Sequence, residues 1–310
     1  TSPHFFIRPV WQPECQRGVK AFKKRNITNS LPGFPASLQP FCAEFFYHKA
    51  VLITRTSVMF SQLKPIAICQ HDATQGPAYL QSYLDLCQLP YQIFAINNGE
   101  APPLSSKDYS AVVLLGSNAS VNDPYLWIKQ EEVLVQDALA RHRPMLGHCF
   151  GGQLLAKVLG AQVRPNAVPQ IGWDPVRVTA FPEAKAWLGE QAELNLFHWH
   201  FETFQIPRGA KRLLYGRYCL NKAFAYGPHL GLQSHLEVTA ESVKAWCKQD
   251  KQSLLNFQHL NSVQSEEDIL QNLPAKVAAL HKAANFTYHK WLQQLPGYKP
   301  CLNGAEHLAC

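Results

Sequence analysis

The chain has 310 residues and a net charge of +7, long enough to bury a sizeable core in one large α/β domain or two small ones. A membrane span needs roughly 18 uninterrupted apolar residues; the densest run, FCAEFFYHKAVLI, is broken by Glu44, His48 and Lys49, so a soluble protein is expected. Nine scattered cysteines, with no CxxC pair and no metal-finger spacing, suit a reducing, cytoplasmic setting.

Residues 1–58 hold eight basic and two acidic side chains, so most of the net positive charge lies there. The rest is nearly neutral, and no nucleic-acid partner is expected. This first segment mixes aromatics, prolines and the basic run KAFKKRN without regular periodicity, although AVLIT suggests a short extended piece. It reads as an N-terminal extension, disordered or non-native, with Met59 as the natural start; a targeting segment is the remaining reading.

From Lys64 onward, apolar runs alternate with amphipathic stretches. PIAICQH, YQIFAIN, AVVLLG and PMLGHC are short buried strands by pattern, while GPAYLQSYLDLCQ and YLWIKQEEVLVQDALARH have helix spacing with charged outer faces. That order predicts a three-layer α/β/α architecture around a mostly parallel sheet. VRVTA, LNLFHWH, RLLYGR, AFAYG and HLGLQSH lie closer together and predict some antiparallel pairing. The C-terminal part, residues 251–310, reads as a helical extension, with Ser265 as an N-cap before EEDILQ and Pro274 interrupting the pattern.

Chemistry concentrates at PMLGHCFGGQ, residues 144–153. Gly147, Cys149 and Gly151 form G-x-C-x-G, the cysteine version of the strand-turn-helix nucleophile elbow, in which the backbone passes too close to other elements for side chains. FGGQLLAKVLG supplies the helix and Gly160 its end. Cys149 would then sit at a helix N-terminus, where the dipole favours a thiolate, and the backbone N–H of Phe150 would face a developing oxyanion. Taken singly, Cys149 would read as a buried structural thiol.

A nucleophilic cysteine needs a base and a group to orient it. In GLQSHLEV, His235 and Glu237 stand two residues apart and project to one side of an extended segment. They complete a candidate Cys-His-Glu triad. Taken singly, His235 would read as a core histidine and Glu237 as a solvated rim charge. His198 and His200 form an H-x-H pair that would share one strand face, but no acidic or cysteine partner stands at a telling spacing, and no metal is expected.

Pro144, Gly147, Cys149, Gly151 and Gln153, followed some eighty residues later by Gln233, His235 and Glu237, resemble the class I glutamine amidotransferases, particularly the stand-alone GMP synthase-like members. The resemblance covers about residues 64–250, and residues 59–250 are taken as the amidotransferase-like domain. It implies a flavodoxin-like glutaminase fold and hydrolysis of the glutamine side-chain amide through a γ-glutamyl thioester, releasing ammonia without a cofactor. It further implies Gly116 and Ser117, in LLGSNASVND, as the oxyanion loop that supplies the second donor, the Ser117 N–H. Gln153, Trp199 and His200 are implied as substrate contacts. Ser117 and Asn118 stand where the family usually has Gly-Pro, Phe201 where glycine is common, and Ser234 and Leu236 replace an aromatic and a proline.

The region after residue 250 is too short for a synthetase domain and carries no P-loop. Ammonia would therefore serve a separate synthetase or acceptor protein, or the enzyme would simply hydrolyse a γ-glutamyl bond. Two alternatives stand beside the glutaminase reading: a γ-glutamyl peptidase with a larger leaving amine, and a catalytically silent relative that binds a small metabolite.

Overall fold

The first half of the chain alternates strand and helix. The structure, a computed structural model, describes residues 63–299; the expectations for residues 1–58, AVLIT and Met59 lie outside the described residues. The elements β1 (Ile66–Gln70), α1 (Ala78–Leu86), β2 (Tyr91–Ala95), β3 (Ala111–Leu114), α2 (Leu126–Ala140), β4 (Met145–His148) and α3 (Phe150–Val158) follow the apolar runs and amphipathic stretches in order. In β1, Ile66 and Ile68 join Leu80 and Leu84 of α1, whereas Ala67 and Cys69 join Leu134 and Val135 of α2 and Leu154 of α3. Alternate side chains thus feed two cores on opposite faces, the burial that a covered parallel sheet requires.

The second half adds β5 (Val163–Val178), α4 (Pro182–Leu188), β6 (Glu193–Phe204), β7 (Lys211–Gly216), β8 (Ala223–Tyr226) and β9 (His229–Leu232). All the strands join one sheet of order β2-β1-β3-β4-β9-β8-β7-β5-β6. Pairings from β2 through β9 are parallel, and those from β9 out to β6 are antiparallel. Strand β9 therefore belongs to both halves. Because it lies parallel to β4, with Gly147 opposite Gly231 and His148 opposite Leu232, the chain leaves both strands at the same edge of the sheet. Ligand sites of open α/β sheets lie outside that carboxyl edge.

Strand β5 is longer than VRVTA suggested and contains Pro165, Pro169 and Pro175. All three precede Val176, where pairing with β7 begins, and a register shift separates Pro165 from Gln170. A missing N–H is tolerated where a strand has one partner or bulges.

The remaining elements are α5 (Ala240–Gln249), α6 (Lys251–Phe257), α7 (Glu266–Leu270) and α8 (Leu273–Leu292). Ser265 caps α7, its Oγ accepting from the Asp268 N–H. Pro274 does not interrupt a helix; it lies in the first turn of α8, where its missing N–H costs no intrahelical bond. Leu280, Ala284, Tyr288 and Trp291 of α8 enter the same core as β1 and α1. The expectation of charged outer faces fails at Glu131, which lies with Ile128, Leu134, Val135 and Ala138 among the buried residues of α2.

Candidate active site

Cys149 stands between β4 and α3 with φ 48° and ψ −106°. A non-glycine residue held there stores about 1–3 kcal/mol of strain, which the surroundings must offset. Its N–H donates to the Leu232 carbonyl at 2.8 Å, and the Gly151 N–H donates to that of Leu115 at 3.2 Å. The flanking glycines are required by space. A Cβ on Gly147 would strike the Gly151 backbone, one on Gly151 the Leu114 carbonyl, and one on Gly152 the Leu232 carbonyl.

Beyond β9, the His235 N–H donates to the Phe197 carbonyl at 2.9 Å, tying this irregular segment to β6. The His235 Nδ1–H donates to Glu237 Oε1 at 2.6 Å, which leaves Nε2 without a hydrogen-bond partner. Trp246 packs edge-on against the ring, centroids 4.7 Å apart. Gly116 closes the other side, since a Cβ there would lie 2.9 Å from His235 Cε1. Cys149, His235 and Glu237, separated by up to 88 positions in sequence, are thus gathered at one edge of the sheet, all buried.

Burial opposes a charge on His235, but the Glu237 carboxylate and, after it, the Cys149 thiol override this and raise the imidazole pKa to about 10. Burial likewise works against the Glu237 carboxylate, yet His148 and His235 outweigh it and hold its pKa below the ordinary value. In the resting geometry the thiol donates to the Trp199 carbonyl at 3.7 Å and accepts from Gln233 Nε2 at 3.6 Å.

A cavity of about 590 Å³ opens over Cys149. Ser117, Asn118, Ala119 and Ser120 form its rim on the β3 side, and Trp199, His200, Phe201 and Glu202 of β6 form the facing wall. The N–H groups of Phe150 and Ser117 donate to no backbone carbonyl among the described residues. Asn118 anchors the rim, donating to Asp72 Oδ2 at 3.1 Å and accepting from Gln75 Nε2 at 3.0 Å. Side-chain hydrogen bonds thus do at this loop what a proline would do by stiffness.

Gln153 lines the cavity and donates to the Glu202 carbonyl at 3.2 Å and to Gln233 Oε1 at 3.3 Å. Trp199 is also in the wall, its indole N–H held by Asp250 at 3.0 Å. His200 differs from them, because both of its ring nitrogens are engaged: Nδ1–H donates to the Glu202 carbonyl at 2.9 Å and Nε2 accepts from Lys222 Nζ at 3.0 Å. No ring nitrogen of His200 is left for a ligand.

Lys222 was not singled out by sequence, yet it is fully buried. Its ammonium contacts Gln170 Oε1 and lies 3.2 Å from His198 Nδ1. The space between the two histidine rings that a metal would need is taken by this nitrogen. Burial lowers the Lys222 pKa to about 8; burial and then Lys222 push His198 and His200 well down. Two further buried groups were missed. His148 lies 3.5 Å from Glu237 Oε2 on the side away from His235, and its pKa is lowered by burial. His71 pairs with Glu131 and contacts the Gly116 carbonyl. None of these has a motif around it; only the inner-face position of Glu131 on α2 offered a signal.

A flavodoxin-like α/β fold with a strained cysteine elbow at the carboxyl edge of its parallel strands defines a class of proteins, and the comparisons narrow it. The family model "Glutamine amidotransferase class-I" matches residues 78–252. The chain belongs to the class I glutamine amidotransferase family. It is similar to the crystal structure of a glutamine amido transferase from Methylobacillus flagellatus, with TM-score 0.74 and 33% identity, covering 78% of this chain and 99% of that one. A glutamine amidotransferase from Thermotoga maritima is also similar, with TM-score 0.67 and 26% identity, covering 73% of this chain and 97% of that one. The chain is 26% identical to the glutamine amidotransferase-like protein YfeJ of Salmonella typhimurium over 174 residues, 54% of this chain and 73% of that protein.

Proposed function

We propose that the protein hydrolyses the γ-amide of glutamine through a Cys149 thioester and releases ammonia. The observation that carries this reading is the strained Cys149 elbow beside a buried imidazole whose Nδ1–H is fixed by Glu237 at 2.6 Å. His235 Nε2, with the imidazole pKa raised to about 10, holds the thiol proton, and the sulfur attacks the γ-carbonyl carbon. The N–H groups of Phe150 and Ser117, beside Gly116, hold the oxyanion, and the Nε2–H returns its proton to the departing amine as the C–N bond breaks. Water, activated by the same imidazole, then cleaves the thioester to give glutamate and the free thiol. Glu237 fixes the tautomer throughout and stabilises the imidazolium. Gln153 offers its Oε1 and Trp199 its wall to the substrate, while His200 contributes through its backbone.

A γ-glutamyl peptidase is the second reading, and the cavity favours it. Its roughly 590 Å³ falls in the range of sites that hold drug-sized ligands, with room beyond the reacting amide for a larger leaving amine. For a glutaminase, the released ammonia would serve a separate synthetase or acceptor protein. Cys69, Cys149, Cys219 and Cys247 are buried free thiols, which supports a reducing, cytoplasmic setting, and no described helix is long and apolar enough to cross a membrane.

Ammonia and amine release from glutamine and from a panel of γ-glutamyl peptides, measured for wild type and C149A, tests both readings. Cys149-dependent turnover that is fastest on glutamine supports the first, and preference for peptides supports the second. Equal background rates for the two proteins would contradict both and favour a binding protein.

A further inference from the structure

The Gly116–Ser117 peptide is gripped from behind. His71, the residue after β1, places Nδ1 3.2 Å from the Gly116 carbonyl oxygen and Nε2 2.8 Å from Glu131 Oε1. Both side chains are fully buried, and Glu131 occupies a core-facing position of α2 that apolar residues fill above and below. The imidazole ring stacks on Trp127 at 5.1 Å and leans on Phe150 at 4.9 Å.

Burying a carboxylate and an imidazole in an apolar layer is costly unless they do something for each other or for a neighbour. Here the neighbour is a single peptide group. In a trans peptide the C=O and N–H point in opposite directions, so a Gly116 carbonyl drawn toward His71 turns the Ser117 N–H away from it, toward the cavity that Ser117 lines together with Cys149. The same ring touches Phe150, the residue that carries the other proposed donor. Both nitrogens of His71 face acceptors, a carbonyl and a carboxylate.

We propose that His71, oriented by Glu131, is a positioning residue that aims the Ser117 N–H, and through ring contact steadies Phe150, as the two oxyanion donors. This rests on the hydrolase reading above and deepens it: the pair replaces, by a hydrogen bond from behind, the stiffness that Gly-Pro would give the loop. The Asp72–Asn118–Gln75 hydrogen bonds hold the next residue of the same loop from the solvent side, so the peptide is fixed at both ends.

The test separates oxyanion chemistry from thiol reactivity. H71F keeps a flat ring between Trp127 and Phe150 but removes the Nδ1–H. E131Q lets the Gln side-chain N–H donate to Nε2 of a neutral imidazole, keeping Nδ1–H on Gly116, whereas E131A leaves the ring unheld. For each, kcat and KM are measured on the best γ-glutamyl substrate, alongside the rate of Cys149 alkylation by iodoacetamide, a displacement at saturated carbon that forms no oxyanion. Loss of one oxyanion donor costs about 100- to 1000-fold in kcat, and H71F is expected to lose about 100-fold with KM and alkylation little changed. E131A is expected to fall in the same direction, and E131Q to recover at least about tenfold of that loss on the same scale.

Alkylation falling in step with kcat, an undiminished kcat in H71F, or E131Q no better than E131A would each overturn the inference. Should H71F not fold, the contrast between E131A and E131Q decides it. An inactive wild type would instead overturn the hydrolase reading itself, a result distinguishable from an active wild type matched by an active H71F.

Discussion

The parallel and antiparallel halves of the sheet meet at β9, the strand beside the Cys149 elbow, and are built differently. In the parallel half, the elbow is held by backbone passing against backbone, with Gly147, Gly151 and Gly152 each leaving no room for a methyl group, while Gly116 lies against the side chains of Gln75 and His235. In the antiparallel half, β6 presents Trp199, Phe201 and Glu202 to the cavity through side chains, and Phe201 remains 40% exposed. Under the proposed function, the difference leaves reaction geometry to the first half, where substitutions cannot be absorbed, and ligand choice to the second, where they can.

The sharpest way to break this contrast is to add one carbon in the parallel half. G151A sets a methyl group against the Leu114 carbonyl; overpacking of this kind costs about 1–3 kcal/mol or more, and loss of both folding yield and turnover is expected. Wild-type thermal stability and activity in G151A would show that the elbow has slack and would undo the contrast. G116A is milder for the fold, since the methyl group meets the side-chain end of Gln75 and, at 2.9 Å, His235 Cε1; it is expected to lower kcat more than stability, read by pairing turnover with thermal unfolding.

Next in size is E237Q. Removing the carboxylate removes the main influence that raises the His235 pKa and loosens the tautomer; loss of the orienting carboxylate in a triad costs about 10⁴-fold in kcat at most, and a fall approaching this is expected. The alkaline limb of the pH–rate profile, set by deprotonation of His235 near pH 10 in wild type, is expected to move to lower pH. An unchanged limb would show that the limb reports another group.

F201A probes the other half. The Phe201 ring packs on Phe257 with centroids 5.8 Å apart and lines the cavity; its truncation is expected to change KM among γ-glutamyl substrates by about tenfold, the scale of a few lost apolar contacts, with kcat nearly constant. A kcat loss as large as that of E237Q would erase the distinction between the halves.

The smallest effect is on stability. Glu237 has its pKa lowered by its neighbours, so its contribution is present above the unfolded value of 4.5 and is lost as pH falls through the folded one. His235 has its pKa raised, so its contribution is complete below 6.5 and is lost as pH rises through about 10. Wild type is therefore expected to exceed E237Q in melting temperature most between those two unfolded values and less toward either extreme. A difference independent of pH would show that packing, not charge, links the pair.

What could be read in the sequence follows the same division. The elbow was legible because its glycines are a local consequence of backbone proximity, and His235 with Glu237 because two residues suffice to put both on one side. The strand and helix order of residues 64–160 was legible from apolar periodicity. Lys222, His71 and Glu131 were not, since each acts on a partner 22 to 60 positions away and has no repeating pattern around it. Strand β5 was hidden by three prolines that only its one-sided pairing explains. His200 illustrates the remaining gap: its place in HWHFET suggested substrate contact, but the buried ammonium of Lys222 claims its ring.

The proposed function stands on Cys149 as a nucleophile toward a γ-glutamyl carbonyl. The most direct measurement is intact-mass spectrometry of the enzyme quenched during turnover of glutamine or a γ-glutamyl peptide, with C149A alongside. The account predicts a γ-glutamyl adduct on Cys149 in wild type, absent in C149A, together with amine release. Amine release of equal rate in both proteins, or no adduct and no release in either, would contradict it.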